Sequence, residues 1–417
     1  MNNVRIGNGH KFEGRITLVL LASIIGIAYG IWYAYSVFLV AFLNDFGWSR
    51  SSLAGAFSLF AIVHGCMNPL VGFLCDRVRP ALIMATGSMF LAFALYSNSM
   101  VTEVWHLYLT FGFFTAVSVS LCGWTPSVVI VQKRFQHRLG LALGIVSSGI
   151  GVGMLIIVPF CQVLIDMFGW RTAFQFFALV AIVVILPSAL FLLKNAGSPL
   201  EKNIGAAEKN TTKPSGTVAG VSYREAIMSR PFWYMASAFF FGGVCSQTLH
   251  VHQVAYLVDH HISALAAASI VGIVGIASIF GKTGGGWMSD HVERELVYVS
   301  GIGIMIISVF VLLWVGGSSS LGGAYFYAIL LGVGYSATAA LMPAMMSDRF
   351  EGENFGSVLG TALFGSALGA AFGPWMGGYL FDVSGSYTIP FSIAALCGVV
   401  AATSGWNARK LRLLNAG

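Results

Sequence analysis

One charged side chain, Lys282, stands inside the apolar stretch Ser269 to Asp290, SIVGIVGIASIFGKTGGGWMSD. A charge at membrane depth costs about 3 kcal/mol or more, so it belongs against the protein interior or a wet cavity. No acid lies one helical turn away: Ser278 and Gly286 hold the i−4 and i+4 positions. Gly275, Ser278, Gly285 and Gly286 share its face, and small residues leave room for a neighbouring helix or a ligand. A lone cation with space beside it suits an anion. The competing reading is a snorkelling lysine, since at 1.5 Å per residue it lies only ~10 Å from the polar end of its run.

Other polar side chains could share that anion, each against an ordinary packing role. Tyr335, in LLGVGYSATAALMP, could donate its hydroxyl hydrogen. Tyr29 and Tyr33 lie one turn apart on one face of the first apolar run. Ser118 and Ser120, with Trp124 a turn later, and the pair Ser147 and Ser148 could face the same space. His250 and His252 are a titratable pair, and a histidine exchanges protons near neutral pH. That makes His250 a candidate proton carrier, with Gln247 nearly a turn away as its partner; the alternative is a satisfied interhelical histidine. His64 and Asn68, one turn apart, suit a structural or gating role. Asp45, Glu103, Asp166, Asp259 and Asp382 fall at one set of run ends, and Asp76, Asp290 and Asp348 at the other. No carboxylate lies inside a run, so a buried-carboxylate proton relay is unsupported and Lys282 is itself a second candidate for the coupled proton.

The elements that must hold these residues are membrane helices. The chain is 57% hydrophobic and 9% charged, where a soluble domain carries about 25% charged residues. Apolar runs of membrane-spanning length recur, without the short alternating segments of a barrel. Twelve helices are expected, at approximately 16–43, 51–75, 80–100, 104–132, 138–165, 172–193, 231–258, 263–289, 295–316, 321–346, 356–381 and 388–408, the first retained rather than cleaved as a signal. The ends on the side of the termini hold 19 of the 22 Lys and Arg, leaving Arg50 and Arg171 on the far side and Lys282 within. The positive-inside rule then places both termini in the cytoplasm, and the net charge of +6 speaks of membrane topology rather than nucleic acid. The six cysteines are scattered through apolar runs and read as small core residues, not disulfides or metal ligands. No cofactor or metal is expected. A membrane-embedded enzyme would need clustered nucleophiles, acids or ligands, and a sensor would need a signalling domain; neither is present.

The long polar interruption 194–230, containing EKNIGAAEKNTTKPSG, reads as a flexible cytoplasmic linker between bundles 1–193 and 231–417, with a short surface helix from Tyr223. The two sides match. LVGFLCDRVRP answers to GGGWMSDHVER, pairing Asp76 with Asp290; KRFQHRLGLALGIVSSGIGVG answers to DRFEGENFGSVLGTALFGSALG, pairing Arg134 with Arg349 and Gly144, Gly149 and Gly153 with Gly360, Gly365 and Gly369. A parallel repeat of two six-helix bundles resembles the major facilitator superfamily, whose members open a midplane site alternately to either side. The loop Gly72 to Arg79, G-x3-D-R-x-R, resembles that superfamily's signature loop, which implies gating roles for Asp76, Arg77, Asp290 and Arg134; the alternative is ordinary positive-inside charge.

Three stretches narrow the resemblance. YAYSVFLVAFLNDFGWSRSSLAGAFSL, KRFQHRLGLALGIVSSGIGVG and HQVAYLVDHHISALAAASIVGIVGIASIFGKTGGGWMSD look like the monocarboxylate transporter family, bacterial members above all, with the oxalate/formate exchangers as near relatives. The resemblance implies a secondary carrier of small monocarboxylates such as lactate or pyruvate, by proton symport in a cell (bacterial inner) membrane; the alternative is a carboxylate exchanger. It puts Lys282 in the place of the family's carboxylate-binding arginine, with Gly286 and Asp290 completing the spacing. Three departures stand out: lysine is a mobile point charge rather than a bidentate fork, Ser278 replaces an acid, and helix 1 lacks the lysine of animal members. The eleventh helix also lacks the second cation of the oxalate exchangers, which favours a monoanion.

Overall fold

The computed structural model describes residues 8–135, 139–194, 222–350 and 355–416. They form twelve long helices and no strand. In hydrocarbon every backbone N–H and C=O must be paired within its own segment, which leaves helices as the solution for runs of this composition. The first six are α1 (Asn8–Phe46), α2 (Arg50–Arg77), α3 (Pro80–Asn98), α4 (Val104–Arg134), α5 (139–168) and α6 (170–194). The last six are α7 (Arg230–Asp259), α8 (Ala264–Ser289), α9 (Arg294–Ser318), α10 (Leu321–Phe350), α11 (Phe355–Ser384) and α12 (Thr388–Ala416).

Ten stretches are long and apolar enough to cross a membrane, and one of them, Leu141–Lys194, has 54 residues. As one rod it would run about 80 Å, against ~30 Å of hydrocarbon. It turns instead at Gly169, whose φ of 82° suits glycine. The rings of Phe160 and Phe176 consequently lie 5.4 Å apart, where a straight helix would part them by about 24 Å. Splitting this stretch and adding α7 gives twelve crossings. α7 falls short of the ten on hydropathy because Gln247, Thr248, His250, His252 and Gln253 interrupt it, yet all but Gln247 are buried.

The internal repeat is physical. In the first bundle a Cβ on Gly149 or Gly153 would stand 2.3 or 2.0 Å from the carbonyl oxygens of Ala22 and Gly26, so α5 crosses α1 backbone to backbone. In the second, Gly369 and Gly373 meet Phe240 and Val244 of α7 at 2.1 and 2.5 Å in the same way. Such close crossings are how membrane helices gain dispersion contacts where lipid removes the hydrophobic drive.

Of the 194–230 linker, 195–221 lie outside the described residues. Tyr223–Met228 forms the surface helix expected there, capped reciprocally by Ser222 and Glu225. The Ser222 backbone N–H holds the exposed Glu225 carboxyl below its usual range.

The sequence marks the fourth and sixth runs as plain helices, but both carry a π-helical turn, at Tyr108–Thr115 in α4 and Ala181–Ile185 in α6, and α4 also breaks at Gly123 (φ −89°, ψ −140°). The local reason is visible in GWTP: Pro126 has no N–H to continue the ladder, and glycine takes the extended bend beside it.

Candidate functional site

The two bundles meet at one end and part at the other. At the end away from the termini, here the far end, Arg50 of α2 donates from Nη2 to both oxygens of Asp259 on α7, and from Nη1 to the Tyr387 hydroxyl at 2.8 Å. Asp382 of α11 accepts the backbone N–H groups of Arg50 and Ser51 at 3.0 and 2.8 Å, placing a carboxylate on the N-terminus of α2. Nearer the middle, Ser58 donates to Ala371 O, and the Tyr33 and Tyr335 hydroxyls lie 2.9 Å apart. α5 and α8 close the other seam: a Cβ on Gly151 would lie 2.4 Å from Gly275 O, and one on Gly275 would lie 2.5 Å from Gly151 O.

Beyond these contacts, toward the basic end, α4 and α5 separate from α8 and α10 around a cavity of about 780 Å³. Lys282, Thr283, Ser147, Ser148, Trp124 and Tyr335 line it, with Ser289 and Asp290 at its basic end. The small residues beside Lys282 divide their work by depth. Gly275 admits α5, Gly281 admits Ser336 and Val333 of α10, and Gly286 faces open space. Among the described residues nothing pairs with the Lys282 ammonium. Ser278, one turn back, is buried and turns its hydroxyl to Gly275 O at 2.7 Å.

The other expected residues sort unevenly around this lysine. Tyr335 lines the cavity, and Tyr33 reaches it through the shared hydroxyl contact. Tyr29 stacks on Trp32 at 5.4 Å and lies against the Gly123 break. Ser147 lines the cavity with its hydroxyl returned to Gly144 O at 3.0 Å. Ser118 is fully buried, bonded to Phe114 O, and is not among the lining residues. His250 packs against both tyrosines, with centroids 5.3 and 4.7 Å away. Its Nδ1 lies 2.8 Å from Ser246 O, not on Gln247, whose Oε1 makes no hydrogen bond.

Of the loop residues, Asp76, Arg77 and Asp290 are exposed and, among the described residues, make no hydrogen bond or ion pair; Arg77 lies over the Phe73 ring at 4.0 Å. Arg134 bonds Thr17 of its own bundle at 2.8 Å. The second bundle braces its basic end internally through Arg294–Asp348 and Arg409–Glu293. The Arg50 cluster was missed from sequence, where Arg50, Asp259 and Asp382 read only as charges at helix ends. A signal existed: the far side has just two basic residues, and the other, Arg171, also pairs with an acid, Asp45.

The pattern of a paired bundle around a central cavity meets a direct counterpart in sequence. The family model of the Major Facilitator Superfamily matches residues 21–336 and 254–411. The chain belongs to the major facilitator superfamily. Membership makes this facilitator a multi-pass membrane transporter and not an enzyme. Its relatives include monocarboxylate transporter 12 of Homo sapiens (26% identical, covering 87% of this chain and 73% of that one) and monocarboxylate transporter 13 of Rattus norvegicus (25%, covering 88% and 82%). Monocarboxylate transporter 4 of Rattus norvegicus is 25% identical over 89% of this facilitator and 78% of its own length. Among solved structures, a bacterial homolog of the human lysosomal transporter Spinster, inward-facing and unoccupied, superposes with a TM-score of 0.72 at 15% identity, over 97% and 98% of the two chains.

Proposed function

We propose that this facilitator carries small organic monocarboxylate anions, lactate- or pyruvate-like, by alternating access and together with a proton. The observation that carries this reading is Lys282: a cation with no counter-ion among the described residues, on the wall of a cavity between the bundles. A carboxylate is its complement, and α11 offers no second Lys or Arg for a dianion. The names of the curated relatives agree with this substrate class. Tyr335 and Tyr33 supply hydroxyls above the lysine, and the apolar part of the anion packs on Trp124, Leu143 and Ile150.

The alternation follows from the two ends. Far-end contacts hold this form closed on that side, and the cavity opens to the basic end, which the charge bias assigns to the cytoplasm. Asp76, Arg77 and Asp290 are then exposed and able to rearrange when the basic end closes, and Arg134 does so by exchanging its bond to Thr17. A carboxylate on Lys282 stabilises the charged lysine, and the charged lysine binds the carboxylate, so anion and proton reinforce each other.

Uptake of labelled monocarboxylates into proteoliposomes tests the reading. Lys282→Ala is expected to abolish uptake with insertion intact, and Lys282→Arg to keep binding. Normal flux in the alanine variant would return Lys282 to a snorkelling role. Exchange without net uptake would replace symport by antiport.

A further inference from the structure

We propose that the first bundle holds a second polar subsite, made by Trp32 and His64, which takes an uncharged acceptor oxygen of the carried monocarboxylate. The subsite rests on the reading of Lys282 as the carboxylate's partner and adds what the other end of the substrate must offer.

Trp32 Nε1 and His64 Nε2 are buried, and neither makes a hydrogen bond to any of the described residues. Most buried polar groups are paired, so two such atoms on neighbouring rings, 4.7 Å between centroids, need an explanation. Indole Nε1 is only a donor. The state of the imidazole follows from its other side. The His64 carbonyl oxygen can only accept, so it orients the Asn68 amide with Nδ2 toward His64 and leaves Oδ1 to the Thr125 hydroxyl at 2.9 Å. Asn68 Nδ2 donates to His64 O at 2.9 Å and lies 3.3 Å from His64 Nδ1. Nδ1 is therefore the acceptor, and the neutral ring carries its proton on Nε2. The two neighbouring rings each carry a donor without an acceptor among the described residues, and none of the cation–ring contacts there involves either ring. Their complement is an uncharged oxygen, such as a carbonyl, rather than a second carboxylate.

A chain of ring contacts joins these two side chains to the Lys282 cavity, whose own lining they do not enter. Trp32 stacks on Tyr29 at 5.4 Å and on Tyr33 at 6.2 Å, and Tyr33 meets the cavity-lining Tyr335. The α4 break ties the two places together: Tyr29 packs on Gly123, Trp124 lines the cavity, and Thr125 holds Asn68. Lys282 comes from the second bundle and the donor pair from the first, so a substrate with both functions bridges the bundles. A plain alkyl carboxylate leaves the donors unpaired and is disfavoured for that reason.

Calorimetric titration of the purified full chain with pentanoate, 2-oxopentanoate and 4-oxopentanoate tests this. Wild type should bind one of the oxo acids roughly tenfold more tightly than pentanoate, the yield of two neutral hydrogen bonds. His64→Phe and Trp32→Phe should each bring that ratio near one while leaving pentanoate affinity within about twofold, and His64→Gln, which keeps an N–H donor, should restore part of it. Equal binding of all three acids by wild type overturns the subsite whether or not the phenylalanine variants fold, as does an unchanged ratio in both variants. Lys282→Ala separates the two ideas. Loss of all three acids there, with no oxo preference in wild type, keeps the carboxylate reading and rejects the subsite. Full binding by Lys282→Ala rejects the carboxylate reading and the subsite with it.

Discussion

Arg50 of α2 holds Asp259 of α7 with one nitrogen, Nη2, at 2.9 and 2.8 Å from the two carboxylate oxygens. The guanidinium lies 4.0 Å above the Phe381 ring and is 12% exposed, while the Asp259 side chain is 34% exposed. A half-wet pair of this kind contributes through its charged hydrogen bonds more than through bare Coulomb attraction. It spans the bundles, so its energy favours far-end closure rather than the fold of either bundle.

Arg50→Ala is therefore expected to cost the closed form about 2 kcal/mol, roughly a thirtyfold shift toward far-end opening. Spin labels at the exposed positions Asn44 and Thr388 would report a longer distance. An unchanged distance distribution counts against the latch.

Gly151 and Gly275 form the matching seam between α5 and α8. Gly151→Leu places a side chain where Gly275 O already stands, and backbone cannot yield there. The expected result is a folded protein that stays open at the far end and transports poorly. Wild-type uptake by this variant would show that the seam opens less than proposed.

The Tyr33–Tyr335 contact spans the bundles at 2.9 Å and Tyr335 lines the cavity. Tyr335→Phe removes one net hydrogen bond worth about 1 kcal/mol, so KM should rise about fivefold with little change in melting temperature. A KM equal to wild type would remove Tyr335 from the anion's surroundings.

His250 gives Nδ1 to Ser246 O and leaves Nε2 buried and unbonded beside both tyrosines. If it carries the coupled proton, His250→Gln keeps anion counterflow but loses uptake driven by a pH gradient. Retained gradient-driven uptake would leave the proton to Lys282.

The paired crossings of α1 with α5 and α7 with α11 predict equal fragility. Gly153→Val and Gly369→Val should each destabilise by about 1–3 kcal/mol, read as a lower melting temperature in detergent. A neutral variant in only one bundle would break the physical equivalence of the repeats.

Much of this was legible along the chain because each signal is one-dimensional. Hydropathy marks spans, basic residues mark one end, and the spacing of Gly149 and Gly153 against Gly365 and Gly369 marks the repeat. The break at Gly123 was harder, since glycine and proline inside an apolar run are common in membrane helices and only neighbours decide whether they interrupt it. Ser118 shows what spacing cannot tell: its hydroxyl bonds Phe114 O of its own helix in this form.

The sequence by itself determined a helical membrane protein with a cation, Lys282, inside an apolar run, because lipid allows few ways to place a charge or an unpaired backbone. Only the tertiary structure decided what that cation and its neighbours face. Arg50 and Asp259, 209 residues apart, meet across the bundles, and Trp32 and His64 are left with ring nitrogens that nothing among the described residues pairs. Such pairings depend on helix rotation and on which end of the bundle is closed, and no local pattern encodes either.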